Sequence, residues 1–230
     1  MHDIRSNLQR IHEQIRQAAE AAGRDPHDVR LMLATKTQSV ETLREALAAD
    51  EHLFGENRVQ ELVPKVDALT DAEITWHFIG HLQTNKVRDV VGRASCIQSI
   101  DRVSLADEVQ RACEKRTTTI DVMIEVNTSG EASKHGVAPD EVWSLIGHVR
   151  TCTALRIVGF MTIGALSEDD ATVRKCFVAL REIRDAYDAT YGTRSELSMG
   201  MSSDLAWAIA EGSTIVRVGT AAFGVRDAHA

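Results

Sequence analysis

The amino-acid sequence predicts an α/β protein whose residues 1–230 form a single domain, a (β/α)8 TIM barrel with an extra N-terminal helix. Short apolar strand patterns alternate with helical patterns eight times along the chain. Almost no low-complexity linker interrupts this alternation, and 230 residues suit one small barrel better than two domains. A doubly wound open sheet is the alternative fold. In both folds, binding sites lie at the carboxyl ends of the parallel strands.

The eight predicted strands are short and apolar, and turn residues bound them. They comprise residues 31–36, 52–55, 75–79, 96–100, 120–126, 155–161, 196–198 and 215–218. An amphipathic helix precedes them, with apolar residues at the spacing of one helical face: Ile4, Leu8, Ile11 and Ile15. Acidic residues in this first helix argue against a signal or transit peptide.

Proline, serine and aspartate residues predict where individual helices begin and bend. Asp101 is expected to cap the helix after the fourth strand, and Pro139 to lie in the first turn of the helix after the fifth. Pro64 lies inside the third helical pattern, so we expect a kink or break at Val63. Ser202 is expected to open the helix that precedes the last strand.

The composition excludes several classes of function. Hydrophobic residues make up 43% of the chain and charged residues 26%, as in a soluble globular protein, and the net charge of −8 argues against nucleic-acid binding. No run of eighteen apolar residues is present, so no membrane span is expected. The four cysteines lack C-x-x-C spacing and are expected as free thiols, which favours a cytoplasmic protein. No unmatched apolar stripe requires a partner, so a monomer is expected.

Residues that end strands are expected to meet at the mouth of the barrel. Lys36 ends the first strand on the face of Met32 and Ala34, where a solvated lysine is the common case. Its position at a carboxyl end makes it a candidate functional residue. The other candidates are Glu56, Asn57, His77, Asn127, Met161, Thr162, residues 198–202, Arg217, Gly219 and Thr220.

Two loops at this mouth have the composition of phosphate-binding elements. The first contains Ser198, Met199, Gly200, Met201 and Ser202, and the second contains Gly219 and Thr220. Each combines a close-approach glycine with hydroxyl groups and the predicted start of a helix. Either loop alone is weak evidence, because glycine and serine are common in turns. Together, after the seventh and eighth strands, they favour a phosphorylated ligand.

Two strand residues carry polar side chains that need partners. Arg217 lies on a strand expected to be buried on both faces, so it pairs with a residue such as Glu125 or donates to a ligand heteroatom. These two roles are compatible. His77 is a binding-site candidate that is expected to be buried and hydrogen bonded. His81 follows it by four residues, but no third ligand has suitable spacing, so no metal site is expected.

A lysine that faces a phosphate site across the barrel fits a ligand held as a Schiff base. Pyridoxal 5′-phosphate has the required carbonyl and phosphate groups, and so does the sugar-phosphate substrate of an aldolase-type enzyme. The residues themselves leave both ligands open.

Five separated motifs occur in order along the chain: residues 34–36 (ATK), 54–57 (FGEN), 77–86 (HFIGHLQTNK), 198–204 (SMGMSSD) and 217–220 (RVGT). This set resembles the pyridoxal phosphate homeostasis protein family, and the similarity runs from the first helix to Gly224. The resemblance implies the fold of the N-terminal barrel of alanine racemase without its second domain. It also implies that pyridoxal 5′-phosphate is the cofactor.

The resemblance further implies roles for individual residues. Lys36 would form the Schiff base, and Arg217 would face the pyridine nitrogen. The residues expected around the phosphate are Ser198, Gly200, Ser202, Gly219 and Thr220, with Asn57 and Met201 nearby. His77 and Met161 complete the expected cofactor-binding set.

The sequence favours binding of this cofactor over turnover. Racemisation needs two bases that flank the substrate α-carbon, and Lys36 can be one of them. The only tyrosines, Tyr187 and Tyr191, lie far along the chain from any strand mouth. A charged Arg217 at the ring nitrogen disfavours protonation of the ring and weakens it as an electron acceptor.

We therefore expect a protein that is not an enzyme and that buffers or delivers pyridoxal 5′-phosphate, with apo-enzymes as the recipients. The alternative is a weak amino-acid racemase or a Schiff-base lyase that acts on a phosphorylated substrate.

Overall fold

Eight parallel strands close into a barrel in the order in which they occur along the chain. The computed structural model describes residues 3–165, 167 and 169–224. The strands are β1 Arg30–Ala34, β2 Leu53–Glu56, β3 Thr75–Phe78, β4 Cys96–Ile100, β5 Ile120–Glu125, β6 Leu155–Met161, β7 Glu196–Ser198 and β8 Ile215–Val218. The helices are α1 Ile4–Ala21, α2 Val40–Leu47, α3 Val59–Ala68, α4 Val87–Val90, α5 Val103–Arg116, α6 Val142–Val149, α7 Asp170–Tyr191, α8 Leu205–Ala210 and α9 Thr220–Phe223.

Pairing of β1 with both β2 and β8 closes the sheet. Leu33 of β1 lies opposite Phe54 of β2 on one side and opposite Val218 of β8 on the other. The predicted (β/α)8 barrel with an extra N-terminal helix is therefore confirmed. The open-sheet alternative is wrong, because an open sheet leaves the outer edges of its two end strands unpaired.

Side chains on the strands alternate between two apolar layers, as the two-residue period of a strand requires. One layer is a cluster of buried residues inside the barrel: Met32, Cys96, Met123, Met161 and Ile215. The other is the larger core between strands and helices, to which Leu31, Leu33 and Val218 belong. Both faces of the sheet are buried, which explains why the strands read as nearly continuous apolar runs.

Helix α1 buries one face, as its spacing predicts: Ile4, Leu8, Ile11, Ile15 and Ala19. It packs against α8 and α9. The Asn7 side-chain amide also donates to the carbonyl oxygen of Ala222 at 3.0 Å. The first helix is thereby joined to the last described elements of the barrel. Neither α1 nor any other described helix is both long and apolar enough to cross a membrane.

Two predictions of helix geometry are wrong in detail. Helix α3 is continuous from Val59 to Ala68 across Pro64, so of the predicted kink or break at Val63 the break is absent. A proline removes only one internal hydrogen bond, and the buried residues of this helix lie on both sides of it. Asp101 does not cap α5, because Arg102 occupies the N-cap position and the Asp101 carboxylate instead accepts from the Arg102 guanidinium at 2.5 Å.

Two helices begin later along the chain than predicted. Pro139 lies in the turn before α6 rather than in its first turn, because the helix begins at Val142. Ser202 lies in the turn before α8, which begins at Leu205. Asp204 takes the preceding position, and its carboxylate accepts the Met201 N–H at 2.5 Å, which holds the turn.

Candidate functional site

Lys36 lies two residues beyond β1, in a loop whose backbone is fixed on both sides of it. Its side chain is exposed, whereas Thr35 is fully buried. Thr35 Oγ1 donates to Glu56 Oε1 at 2.9 Å, and the Thr37 N–H donates to Glu61 Oε2 at 2.5 Å. Thr37 has a φ of 63°, a left-handed conformation that turns the chain after Lys36. The result is an exposed amine on a fixed backbone.

A buried lysine on α3, Lys65, joins the groups on either side of Lys36. Its Nζ donates to the Thr35 carbonyl oxygen at 2.7 Å, to Glu61 Oε2 at 3.1 Å, and to the Glu56 carboxylate. A buried ion pair is stable only when hydrogen bonds satisfy its remaining atoms, and here the second Glu56 oxygen accepts the Asn57 N–H at 3.0 Å. Burial by itself raises the pKa of Glu61, but a backbone N–H and Lys65 lower it below its ordinary value.

Lys65 and Glu61 were not among the residues predicted for the site. A signal was present, because Lys65 falls three residues after Leu62 on the buried face of α3. A lysine on a buried helix face needs an acidic partner. Glu56, at the end of the preceding strand, was the available one.

A cavity of about 240 Å³ opens at the carboxyl ends of the strands. Seven of the predicted residues line it: Lys36, Asn57, Met201, Ser202, Arg217, Gly219 and Thr220. Four further lining residues were not predicted for the site: Ala34, Gly55, Ile79 and Ile163. None of the four has an ionisable or hydrogen-bonding side chain that would mark it as a binding residue. In the described lining, the ionisable groups are Lys36 and Arg217, so the cavity favours an anionic ligand.

Two glycines bring the loops after β7 and β8 close to their neighbours. Gly200 has a φ of 93°, and a Cβ at this position would lie 2.5 Å from the Cβ of Ala208. A Cβ at Gly219 would lie 3.2 Å from a carbonyl oxygen of β1. Gly200 therefore lies closer to its neighbour than a side chain allows, and Gly219 leaves little room for one. The loops also carry the hydroxyl groups of Ser202 and Thr220, which can donate to an anion.

Three hydrogen bonds hold the buried Arg217 guanidinium. Nη1 donates to both the carbonyl oxygen and Oγ of Ser198 at 2.7 Å, and Nη2 donates to the Thr162 carbonyl oxygen at 2.7 Å. Within the described residues, the Nε–H and one Nη2 hydrogen have no acceptor, so two N–H groups remain for a ligand. Burial lowers the pKa of Arg217 to about 10, and the group stays charged at neutral pH.

The salt bridge with Glu125 that the sequence suggested for Arg217 is absent from the part of the chain that the structure describes. Carbonyl oxygens of Thr162 and Ser198 accept hydrogen bonds from the Nη groups instead. Glu125 is buried, and burial raises its pKa to about 7.

A chain of hydrogen bonds continues from Arg217 through Ser198 to two further buried side chains. Ser198 Oγ donates to Gln98 Oε1 at 2.7 Å, and Gln98 Nε2 donates to His77 Nδ1 at 2.8 Å. The donor and acceptor of each hydrogen bond in this chain follow from Arg217, because a guanidinium can only donate hydrogen bonds. Ser198 accepts from Arg217, so its own proton goes to Gln98, and this network assigns the His77 proton to Nε2. Burial lowers the pKa of His77 to about 4, so the ring is neutral at pH 7.

Four residues of the expected cofactor-binding set lie outside the described cavity lining. His77 and Ser198 lie in the hydrogen-bonded chain that ends at Arg217. The Gly200 carbonyl oxygen accepts the Arg217 N–H at 2.9 Å. Met161 belongs to the apolar layer inside the barrel. The structure thus brings these four residues to the same end of the barrel without exposing them to the cavity. Gln98 was missed, because an amide in a strand pattern has no distinctive spacing.

Comparisons with known proteins agree with this architecture. A family model described as alanine racemase, N-terminal domain, matches residues 6–227. A pyridoxal phosphate homeostasis protein of Aquifex aeolicus is 44% identical over 220 residues, which cover 95% of this chain and 96% of the relative.

Solved structures are similar over nearly the same length. A structure of an unknown protein from Bifidobacterium adolescentis has a TM-score of 0.92 and 38% identity, and the match covers 96% of this chain and 94% of that chain. A structure of PipY from Synechococcus elongatus with PLP bound has a TM-score of 0.80 and 33% identity, and the match covers 91% of this chain and 100% of that chain.

Proposed function

This chain belongs to the pyridoxal phosphate homeostasis protein family, and from that premise we propose that it binds pyridoxal 5′-phosphate as a Schiff base on Lys36. We further propose that it buffers or delivers the cofactor and has no robust catalytic activity. The observation that carries the proposal is the cavity in which Lys36 and Arg217 are the ionisable groups of the described lining.

The residues around the cavity fit this cofactor. When bound, it supplies an aldehyde that the Lys36 amine can hold covalently. Arg217 keeps two N–H groups for a ring nitrogen. Asn57 Oδ1 is buried and has no hydrogen-bond partner among the described residues, so it can accept from a ligand hydroxyl.

The loops after β7 and β8 suit the phosphate end. Ser202, Gly219 and Thr220 line the cavity, and Gly219 keeps the backbone accessible there. We propose that Gly200 and Ser198 act indirectly, since they bind the backbone and side chain of Arg217. His77 would act less directly still, because its hydrogen bond is to Gln98.

Two features of this chain favour binding over turnover. Arg217 is a permanent donor and cation, and it disfavours a proton on the ring nitrogen that it would face. The described cavity lining also contains no carboxyl, imidazole or phenol group that could act as a second base. Tyr187 packs edge-on against Phe160, and the guanidinium of Arg150 lies 3.7 Å from the ring centroid of Tyr191, so both tyrosines are engaged elsewhere.

We also propose a cytoplasmic monomer that passes the cofactor to apo-enzymes. Its four cysteines are free and buried, which suits a reducing compartment. Light scattering of the purified protein tests the oligomeric state. Reactivation of an apo-enzyme by the loaded protein, at a free-cofactor concentration too low to reactivate it, tests the transfer.

Absorbance and borohydride trapping test the cofactor proposal. We expect a visible Schiff-base band that Lys36→Ala abolishes, and a reduced adduct on the peptide that contains Lys36. The matched control is Lys175→Ala, which removes an exposed lysine of α7 and should leave band and adduct unchanged. A missing band after incubation with pyridoxal 5′-phosphate, or an adduct on another lysine only, would overturn the proposal.

A chiral assay separates binding from catalysis. Steady interconversion of alanine enantiomers by the wild-type protein, lost in Lys36→Ala and retained in Lys175→Ala, would establish a racemase instead. We expect no interconversion above the rate of the free cofactor.

A further inference from the structure

A second group of chemically reactive side chains lies in the helical layer, away from the barrel mouth. Asp107 belongs to α5, His148 lies near the end of α6, and Cys152 follows α6. His148 Nε2 lies 2.7 Å from Asp107 Oδ1. One potential ligand atom from each of the three residues lies within 4.8 Å of the other two.

The local structure explains why these side chains converge. His148 lies in the last turn of α6, and Cys152 lies three residues beyond the helix, where its N–H donates to the Val149 carbonyl oxygen at 3.0 Å and keeps it close to His148. The Cys152 Sγ turns back toward the His148 carbonyl oxygen, at 3.8 Å. Asp107 approaches from the adjacent helix. Sequence spacing around His77 and His81 gave no metal site, whereas this cluster combines α5, α6 and the segment after α6, with Asp107 and His148 separated by 41 residues.

We propose that Asp107, His148 and Cys152 form a binding site for one Zn²⁺ ion, which joins α5 to the end of α6. A thiolate, an imidazole and a carboxylate are the three types of ligand that zinc takes in proteins. The thiolate and carboxylate together neutralise the ion. This site is independent of the cofactor site.

The distances require only small movements. Zinc binds sulfur at about 2.3 Å and nitrogen or oxygen at about 2.0–2.2 Å, so tetrahedral ligand atoms lie roughly 3.3–3.7 Å apart. When zinc binds, the distance between the Asp107 and His148 ligand atoms increases slightly, and the Cys152 sulfur moves toward the ion. On binding, the Cys152 thiol releases its proton to solvent. The side chains of His148 and Asp107 are 35% and 41% exposed, so the ion has access and a water can take the fourth position.

A second cluster in the described residues is less suitable. His81, Asp101 and His135 also place ligand atoms within 4.8 Å of one another. The two imidazole rings are stacked, with centroids 3.9 Å apart and planes 17° from parallel. Imidazole lone pairs lie in the ring plane, so stacked rings cannot both point at one ion. Asp101 is also paired with Arg102.

Cobalt titration of the full-length, chelator-treated protein tests the proposal, because Co²⁺ is a spectroscopic probe for zinc sites. We expect a near-ultraviolet thiolate-to-cobalt band that saturates at one equivalent and disappears when one equivalent of Zn²⁺ is added. Cys152→Ser should abolish the band, and Asp107→Asn should weaken binding by at least about tenfold. The control Cys176→Ser changes a buried cysteine on α7, outside the cluster, and should leave the titration unchanged.

Three outcomes would overturn the proposal. The first is the absence of a thiolate band in a wild-type protein whose circular dichroism shows an intact fold. The second is a band that survives in Cys152→Ser. The third is metal binding that gives no thiolate band and is lost in His81→Ala. If the Cys152→Ser protein does not fold, the His148→Ala variant provides the test. It keeps the thiol, and under the proposal its cobalt titration no longer saturates at one equivalent.

Discussion

The Nζ of Lys65 lies 2.7 Å from the carbonyl oxygen of Thr35, the residue immediately before Lys36. One lysine is thus buried in the structure that fixes the backbone of the other. The two lysines have opposite environments, since Lys65 is 6% exposed and paired with Glu56, whereas Lys36 is exposed to the cavity and solvent.

Replacement of the buried lysine should destabilise the fold, and replacement of the exposed one should not. Lys65→Met leaves Glu56 buried without its partner, so we expect a loss of about 3–5 kcal/mol in the free energy of unfolding. Lys36→Met, the matched control, should change it by no more than about 0.5 kcal/mol. Urea denaturation measures both. Equal losses in the two variants would contradict the role assigned to Lys65, and adding Glu56→Gln to Lys65→Met should recover part of the loss.

Two buried serines should respond differently to removal of their hydroxyl groups. Ser198 Oγ accepts from Arg217 and donates to Gln98, so Ser198→Ala leaves both partners unsatisfied and should cost about 1–3 kcal/mol. Ser99 Oγ is buried and has no partner among the described residues, so Ser99→Ala should be neutral or slightly stabilising. The comparison uses chemical denaturation at pH 7. A Ser198→Ala protein as stable as wild type would refute the hydrogen-bonded chain.

The stability of the protein should depend on pH through His77. Its pKa is about 4 in the folded protein and about 6.5 in the unfolded chain, so the unfolded chain binds more protons between these values. The folded state therefore loses stability as pH falls from about 6.5 to about 4, by on the order of 3 kcal/mol in total. His77→Gln should remove this part of the pH dependence. The measurement is the difference in unfolding free energy between wild type and His77→Gln at several pH values, and a constant difference across this window would count against a neutral, buried His77.

A methyl group at Gly219 should weaken cofactor binding with little effect on the fold. The added Cβ of Gly219→Ala would lie 3.2 Å from the Ala34 carbonyl oxygen and would narrow the cavity beside Thr220. We expect the affinity for pyridoxal 5′-phosphate to fall about tenfold or more, a loss of about 1.4 kcal/mol of binding free energy. Gly147→Ala in α6 is the control, since nothing lies within 4 Å of its added Cβ. It should bind normally and be more stable by about 0.4–1 kcal/mol. Spectroscopic titration gives both affinities, and unaltered binding in Gly219→Ala would remove this loop from the proposed phosphate site.

The barrel could be predicted from the sequence because each strand is buried on both faces and each helix on one. The helix starts near Asp101 and Ser202 could not be predicted from the sequence, because a residue type that can cap a helix is equally able to form hydrogen bonds with a nearer partner. Asp101 binds Arg102 instead.

Candidate site residues at or just beyond the ends of strands were predictable, since parallel strands place them at one mouth. Lys36 and Arg217 were found in this way. Gln98 was not, because its contact with Ser198 spans 100 residues and depends on the register of strands that the sequence does not encode locally. Lys65 was missed although a local signal was present, since it lies on the buried face of α3 and its partner Glu56 is only nine residues away.

Closure of the sheet by β1 and β8 has a consequence for synthesis of the protein. The Arg24 guanidinium, just before β1, donates to the Ile209 carbonyl oxygen, 185 residues later. During translation, β1 therefore keeps one unpaired edge until nearly the whole barrel has been synthesised. Such distant contacts slow folding, and an open strand edge invites association with other chains. We expect a nascent chain truncated before β8 to depend on chaperones and the completed chain to be independent of them.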